Sequence, residues 1–457
     1  MNNLKPRIQS LPRSLALKIS LVFTLIFVIQ FLFFPLVGPA KSQSGQSCLD
    51  ANGINNNVEF LVTPQKAYAD TPITVRITGL QIGQEIELSA TAIDANDVTF
   101  SSKANFKANS MGIVDTSQMA PVSGSYKSKA SSGLLWSMSS DEGQPFVNRL
   151  SWSEREIWIK AKINKNTNLV KCITRIYPWA QIPRKDIDLE GYIGDLWVPE
   201  SNKDLPLIVL LSGFDPSKQL AKASLLAARG FAVLDVVYHG QPPLPQGLVG
   251  IPLEYVIKAI KWADQQSSVD GKRIGILGAS KGAEYALVLA SKYPSIGAVA
   301  AWTPSSVVWS GLSFSDLYPT SSWKHKGQDI PYIPAEVTLS NIWRGIKMMT
   351  GNQVSFLEVY SEGLKNQNNV QKATIEVENI NGPILLVSGG DDKMWPAKYM
   401  SEMIIKRLEE KEFPYSYQHL NFKKSGHSFL WNQPPARQLD SEGFIRGGEI
   451  EASQIAG

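Results

Sequence analysis

Cysteine and histidine are scarce in this chain, which has two cysteines and four histidines among 457 residues. Transition metals are usually held by clustered cysteine and histidine side chains, so these few, scattered residues predict no metal site, and no cofactor is expected. In an oxidising compartment Cys48 and Cys172 could form one disulfide. The sequence leaves open whether their Cα atoms approach closely enough for that bond.

Strong charge of one sign is also missing from most of the chain. The net charge is +4, but residues 1–42 contain five basic residues and no acidic one. Residues 43–457 therefore carry a net charge of −1, which gives no electrostatic basis for binding nucleic acid. With 43% apolar and 19% charged residues, the composition is typical of a globular protein with a substantial core.

One long hydrophobic run is present at residues 19–38, preceded by a basic stretch and followed by small residues. This pattern is typical of a targeting segment, so residues 1–42 are treated apart from the fold. The run is longer than most signal-peptide cores and close to the length of a membrane-spanning helix. A cleaved signal peptide and a retained signal anchor both fit, and both predict a body that is exported or anchored outside the cytoplasm.

Residues 48–185 contain short runs of alternating polar and apolar residues, separated by turn residues. Many short strands at this spacing predict an immunoglobulin-like β-sandwich. The strand-like runs are residues 58–62, 73–77, 85–92 and 156–162. Residues 109–148 are rich in serine, glycine and methionine, and we expect irregular segments there.

From residue 186 the pattern changes to strand-like and helix-like segments in alternation, which predicts a mostly parallel sheet covered by helices, as in an α/β-hydrolase. Residues 305–380 interrupt this alternation and predict an excursion above the sheet. The catalytic domain is expected to span residues 186–432. Residues 433–457 are predicted to form a peripheral polar tail.

The sequence Gly278-Ala279-Ser280-Lys281-Gly282 lies between a strand-like run and a helix-like run. This is the context that a Gly-x-Ser-x-Gly nucleophile elbow requires, so Ser280 is the predicted nucleophile. Gly278 and Gly282 leave room for a tight, strained turn. The helix N-terminus after Ser280 favours developing negative charge.

A serine hydroxyl needs a base and an acid that orients the base, and on this fold the acid precedes the histidine in the chain. Asp391 and Asp392 both follow the strand-like residues 383–388. Asp392 is preferred because it lies four residues before Pro396, as in many hydrolase acid loops. Asp391 remains the alternative.

His427 is the predicted base because it follows the final strand-like run, residues 415–422. The other three histidines fit less well. His419 lies inside that run, His239 comes before the nucleophile in the chain, and His325 lies in the excursion and is expected to be solvated.

Acyl transfer also needs N–H donors directed at the oxyanion of the tetrahedral intermediate. One donor should be the backbone N–H of Lys281, directly after the nucleophile. The second should come from the loop after the strand-like residues 205–211, at Gly213 or Phe214. The Lys281 side chain is expected to be solvated or paired.

Together these motifs make the chain resemble the acyl-CoA thioesterase / bile acid-CoA:amino acid N-acyltransferase family, over roughly residues 50–430. The family combines an N-terminal β-sandwich with an α/β-hydrolase domain. The resemblance lies in residues 77–80, 133–136, 223–233, 278–284, 326–327 and 390–392. The family's glycine-rich oxyanion loop is replaced here by residues 212–217, and its usual CoA substrates are intracellular, whereas residues 1–42 predict export.

The resemblance implies a serine hydrolase that cleaves acyl thioesters through an acyl-enzyme. The family's nucleophile, acid and base carry over to Ser280, Asp392 and His427. The amino-acid-conjugating members use cysteine as nucleophile, so a serine favours transfer of the acyl group to water. Two alternatives are an exported carboxylesterase that does not use CoA, and a membrane-tethered binding protein with an inactive hydrolase domain.

Overall fold

The computed structural model of the chain describes residues 58–143, 146–147, 153–200, 204–312, 320–334, 338–428 and 444–456. The hydrophobic run at residues 19–38 and Cys48 lie outside these ranges, so export and membrane anchoring stay predictions. Within the described ranges, no helix combines the length and the apolar character needed to cross a membrane. Cys172 is disulfide-bonded.

The N-terminal part consists of two β-sheets that share one core. One sheet has the order β1-β3-β6 and the other β2-β9-β8-β4-β5-β7. Inward side chains of both sheets, such as Val75 and Leu88, belong to a single buried cluster. The elements are β1 (Glu59–Thr63), β2 (Lys66–Tyr68), β3 (Thr74–Thr78), β4 (Glu85–Ile93), β5 (Thr99–Lys107), β6 (Val114–Asp115), β7 (Ser123–Gly124), α1 (Gly133–Trp136), β8 (Glu154–Lys162) and β9 (Asn168–Ile176).

The expectation of irregular segments at residues 109–148 was wrong in part. This stretch contributes β6, β7 and α1, and α1 buries Leu134, Leu135 and Trp136 in the core between the sheets. Strand β5 was not recognised from the sequence. It alternates between buried and more exposed residues, but two of its buried residues are the small Ser102 and Ala104, so its hydrophobic pattern is weak.

The C-terminal part is built on an eight-stranded sheet with the order β10-β11-β13-β12-β15-β16-β19-β20. Neighbours from β13 to β20 are parallel, whereas β11 is antiparallel to both β10 and β13. This is the α/β-hydrolase arrangement. The strands are β10 (Arg184–Asp186), β11 (Ile193–Trp197), β12 (Leu205–Leu211), β13 (Ala232–Val237), β15 (Val269–Ala279), β16 (Ala298–Trp302), β19 (Ile384–Gly389) and β20 (Tyr417–Phe422).

Helices connect these strands, as parallel neighbours require. They are α2 (Leu220–Ala227), α3 (Leu253–Asp264), α4 (Lys281–Lys292) and α8 (Ala397–Glu410), with short 3₁₀ turns at Pro178–Ala180 and Val377–Asn379. Because β12, β15, β19 and β20 run parallel, the loops after them lie along one edge of the sheet. Such an edge is the usual ligand-binding side of an α/β sheet.

The excursion between β16 and β19 forms a layer beside that edge. It holds strands β17 (Trp323–His325) and β18 (Gln328–Asp329) and helices α5 (Leu339–Met349), α6 (Leu357–Gly363) and α7 (Gln367–Ala373). Strand β17 pairs with β14 (Ile251–Pro252) on one side and with β18 on the other. Its apolar residues Val307 and Trp309 pack with Trp395 and Met400. The excursion is therefore joined to the segment that follows β19.

The prediction of a peripheral tail was wrong for residues 444–456. The N–H of His427 donates to the carbonyl of Arg446 at 2.8 Å, and Gly448 forms a bridge with Ser425. The tail ends in α9 (Ile450–Ala456), where the Glu451 carboxylate accepts hydrogen bonds from Ser128 of the N-terminal part. Backbone pairing of this kind is not visible in a polar sequence.

Candidate active site

Ser280 lies at the turn between β15 and α4 and has a backbone conformation that serine rarely adopts, with φ of 56° and ψ of −123°. Holding a residue in such a backbone conformation costs about 1–3 kcal/mol of conformational free energy. Hydrogen bonds hold it there. Its N–H donates to the Trp302 carbonyl at 2.9 Å, and its carbonyl accepts from the N–H of Ala283 at 2.9 Å. The turn projects the serine side chain away from the sheet.

The two glycines of the elbow are required by close backbone contacts. A Cβ atom at Gly278 would overlap the carbonyl of Gly282, and a Cβ at Gly282 would overlap the carbonyl of Ser212. Both overlaps are with backbone atoms, which cannot move aside cheaply. The turn therefore needs glycine at positions 278 and 282 for steric reasons.

Ser280, His427 and Asp392 form a continuous chain of hydrogen bonds. The Oγ of Ser280 lies 2.9 Å from Nε2 of His427, and Nδ1 of His427 lies 2.8 Å from Oδ2 of Asp392. A carboxylate can only accept, so Nδ1 carries the proton and Nε2 of the neutral imidazole accepts from the serine hydroxyl. The structure thus brings together the three residues that the sequence predicted as nucleophile, base and acid.

The two adjacent aspartates have different partners. Asp392 is buried, and its Oδ1 accepts from the N–H groups of Met394 and Trp395 at 2.8 and 3.2 Å. Asp391 instead pairs with Lys393 at 2.6 Å and accepts from the N–H of Gly448 at 3.0 Å. The Lys393 hydrogen bond lowers the pKa of Asp391. The described contacts place Asp392, and not Asp391, against His427.

His427 has two further supports, one at its ring and one at its backbone. The ring of Trp395 meets it edge to face at 5.8 Å between centroids, and the Trp395 indole N–H donates to the Thr303 carbonyl at 3.1 Å. The second support is the tail, through the Arg446 carbonyl described above. Sequence reasoning missed the tail, although its Gly447-Gly448 pair, with φ of 71° and 85°, is the local signal of a tight turn that could have indicated it.

The predicted oxyanion donors lie beside the nucleophile. Lys281 is the first residue of α4, so its N–H is among those that a helix leaves without an intrahelical acceptor. A Cβ built on Gly213 would stand 3.1 Å from Cβ and 3.7 Å from Oγ of Ser280, and Phe214 follows in the same loop. A hydroxyl beside an imidazole and a helix N-terminus has the parts that acyl transfer needs.

The sequence left open whether the Lys281 side chain is solvated or paired. In the structure it is paired and buried. Its Nζ lies 2.6 Å from Oε1 of Glu284, with side-chain exposures of 2% and 0%. The same oxygen accepts from the Trp323 indole N–H at 2.8 Å and the Trp309 backbone N–H at 3.3 Å. Burial lowers the pKa of Lys281 and raises that of Glu284. The carboxylate thus connects the first turn of α4 to the excursion.

The buried Lys281–Glu284 ion pair leads to a prediction about the stability of the protein. Glu284→Gln should lower the free energy of unfolding by about 3–5 kcal/mol, because it leaves the Lys281 ammonium buried without its counter-charge. The control is Glu362→Gln. Glu362 also lies 2.6 Å from a lysine, Lys365, at the same sequence spacing, but those side chains are 65% and 70% exposed. The control should change stability by less than about 1 kcal/mol. Equal losses in urea denaturation of the two variants would contradict the prediction.

Two other histidines, His419 and His325, make contacts elsewhere in the fold. Nε2 of His419, in β20, lies 2.7 Å from Oγ of Ser388, and Nε2 of His325 lies 4.0 Å from Oε1 of Glu254. Among the residues that the structure describes, no three histidine, cysteine or acidic side chains converge as metal ligands.

Comparison with known proteins adds two family matches. The BAAT / acyl-CoA thioester hydrolase C-terminal family matches residues 251–453, and the acyl-CoA thioester hydrolase/BAAT N-terminal region matches residues 70–176. The first match contains Ser280, Asp392 and His427. The second lies within the two-sheet N-terminal part. A solved structure of a dienelactone hydrolase-like phosphotriesterase from metagenomic libraries is 14% identical, covers 59% of this chain and 93% of that chain, and has a TM-score of 0.35.

Curated relatives are similar over most of their length. Mouse acyl-coenzyme A amino acid N-acyltransferase 1 is 25% identical over 77% of this chain and 82% of its own. Mouse peroxisomal succinyl-coenzyme A thioesterase is 25% identical over 85% of this chain and 90% of its own. Human mitochondrial acyl-coenzyme A thioesterase 2 is 26% identical, over 74% and 68%. With both family regions present in order, this chain belongs to the acyl-CoA thioesterase / bile acid-CoA:amino acid N-acyltransferase family.

Proposed function

We propose that this protein is a serine hydrolase that cleaves acyl thioesters, releasing a carboxylic acid and a thiol. The observation that carries the proposal is the hydrogen-bonded chain from Ser280 through His427 to Asp392, in a family whose relatives include thioesterases that act on acyl-CoA. The substrate class comes from those relatives, and the nucleophile and base come from the geometry.

In the first half-reaction, Nε2 of His427 takes the proton of the Ser280 hydroxyl while Oγ bonds to the thioester carbon. Asp392 stabilises the imidazolium that forms. The oxyanion accepts from the N–H of Lys281, at the N-terminus of α4, and from the N–H of Gly213 or Phe214, in the loop after β12. When the intermediate collapses, the carbon–sulfur bond breaks and the thiol leaves with the proton from His427, which produces a serine ester.

In the second half-reaction, water replaces the thiol. His427 removes a proton from water, hydroxide adds to the ester carbon, and Oγ of Ser280 leaves with that proton. The acyl group is therefore transferred to water. The serine nucleophile supports this choice, because the family resemblance associates transfer to amino acids with cysteine.

The proposal predicts thiol release from acyl-CoA substrates of at least one chain length. Purified protein would be incubated with short-, medium- and long-chain acyl-CoA, and free thiol would be measured with a chromogenic disulfide. Matched p-nitrophenyl esters with the same acyl groups give the comparison. We expect a higher kcat/KM for the thioesters. Rapid-quench mass spectrometry should detect the protein with one added acyl group.

Glycine and taurine added to the same reaction should leave the free acid as the product. N-acyl amino acid as the main product would overturn water as the acceptor. Cleavage of the p-nitrophenyl esters without thiol release from any acyl-CoA would overturn the thioester proposal and favour a carboxylesterase.

A further inference from the structure

His239 is a buried histidine outside the triad that contacts the loop beside the nucleophile. It follows β13 and is 2% exposed. Its Nε2 lies 3.3 Å from the backbone carbonyl oxygen of Gly213. Because a carbonyl oxygen can only accept, Nε2 must carry a proton and donate it. Burial lowers the pKa of His239, which favours the neutral ring, and in that ring Nδ1 carries no proton.

The carbonyl that His239 holds belongs to the peptide unit between Gly213 and Phe214. This bond is trans, and in a planar trans peptide the C=O and N–H groups point in opposite directions. A hydrogen bond that draws the Gly213 carbonyl toward His239 therefore turns the Phe214 N–H away from His239. If the peptide rotated the other way, a carbonyl oxygen would replace an N–H on the opposite side and would repel a neighbouring oxyanion.

A second contact fixes the preceding residue of the same loop. The Tyr238 hydroxyl donates to the carbonyl of Ser212, and that carbonyl lies where a side chain at Gly282 would have to be. Consecutive residues after β13, Tyr238 and His239, thus bind consecutive carbonyls after β12. The loop from Ser212 to Ser217 contains a single glycine, and hydrogen bonds from side chains orient it.

We infer that His239 is a positioning residue for the oxyanion site: it donates from Nε2 to the Gly213 carbonyl and so directs the Phe214 N–H toward the acyl oxygen bound at Ser280. The inference rests on the proposed function and deepens it, because it assigns the second oxyanion donor to Phe214. His239 itself touches neither substrate nor Ser280 in this role. It acts through one peptide unit.

The test compares two amide substitutions that differ by one methylene. His239→Gln places an amide N–H near the position of Nε2, whereas His239→Asn places it near Nδ1, out of reach of the Gly213 carbonyl. Loss of an oxyanion donor costs about 10²- to 10³-fold in kcat. A donor left in place but no longer oriented should cost less, so we expect His239→Asn to lower kcat by about 10- to 100-fold. KM should change little, and His239→Gln should retain most of the activity.

A trifluoromethyl ketone thioether analogue gives a readout that a merely structural role would not move. It forms a tetrahedral adduct with the serine and places an oxyanion in the site, so its inhibition constant should rise in His239→Asn by the factor by which kcat/KM falls. A matched thioether that lacks the ketone carbonyl cannot form the adduct, so its inhibition constant should be the same for all variants. Equal kcat in the Asn and Gln variants, or an unchanged inhibition constant for the ketone, would overturn the inference.

Two further measurements keep the outcome decisive. Thermal unfolding of each variant identifies any loss of activity that comes from misfolding, and His239→Phe serves as a second donor-free variant if the Asn variant does not fold.

The rate at which a fluorophosphonate labels Ser280 can be measured without a thioester substrate. If wild-type protein is labelled but releases no thiol from acyl-CoA, the proposed function is wrong. The labelling rates of the Gln and Asn variants then still decide the role of His239.

Discussion

Ser280→Ala should lower kcat for acyl thioester hydrolysis by about 10⁶-fold, the scale of loss seen when a triad nucleophile is removed. Without Oγ no acyl-enzyme can form, and His427 and Asp392 have no hydroxyl to activate. A residual acceleration of about 10³- to 10⁴-fold over water would remain from the oxyanion donors and substrate binding. The measurements are steady-state thiol release and the mass of the acylated protein, which should no longer be detected.

The control for this substitution is Ser291→Ala. Ser291 is a buried serine on the same helix, α4, and its hydroxyl donates to the Val288 carbonyl at 2.8 Å. Its loss removes one intrahelical hydrogen bond and leaves the elbow intact, so kcat should be unchanged. If Ser280→Ala hydrolyses thioesters at the wild-type rate, Ser280 is not the nucleophile and the proposed mechanism fails.

Asp392→Asn should lower kcat by about 10⁴-fold, because an amide can donate to Nδ1 of His427 and so favour the wrong tautomer. With the proton on Nε2, the imidazole can no longer accept from Ser280. The imidazolium that forms during attack also loses its counter-charge. Fluorophosphonate labelling of Ser280 should slow together with thiol release, which would locate the defect in activation of the nucleophile.

Asp391→Asn is the matched control, since it makes the same chemical change at the neighbouring residue. Asp391 pairs with Lys393 and Gly448, and its ion pair is about half exposed, so its loss should have a small effect. The two variants therefore discriminate between the aspartates that the sequence left as alternatives. A larger loss of kcat in Asp391→Asn than in Asp392→Asn would reverse the assignment.

Local patterns predicted much of the fold. The alternation of strands and helices after residue 186 corresponds closely to β12, β13, β16, β19 and β20 and to the helices between them. Apolar periodicity is a property of one segment, so it can be recognised without knowing what the segment packs against. The prediction was least complete at β5, β9 and residues 109–148. In β5 two of the four buried residues are the small Ser102 and Ala104, and α1 is a single short turn, so local periodicity is weak there and burial depends on the partner sheet.

The candidate site was likewise predictable from the sequence only in part. Gly278, Ser280 and Gly282 form a contiguous motif whose steric requirements are local, and chain order indicated His427. Whether Asp391 or Asp392 faces His427 depends on a loop and on the tail at residues 444–448. That choice required the tertiary structure, because the two residues have the same chemistry and adjacent positions.

By itself, then, the sequence determined the nucleophile elbow at Ser280, the order of its partners and the two-part family architecture, since these follow from short motifs and periodicity. The tertiary structure decided which aspartate contacts His427, that Lys281 is buried against Glu284, and that His239 reaches the Gly213 carbonyl. Asp392 and His427 lie 35 residues apart, and His239 and Gly213 lie 26 residues apart. Lys281 and Glu284 are neighbours on one helix, but the Glu284 carboxylate also accepts from Trp309 and Trp323 of the excursion. The packing of strands and loops sets these contacts between distant segments, and no local pattern encodes it.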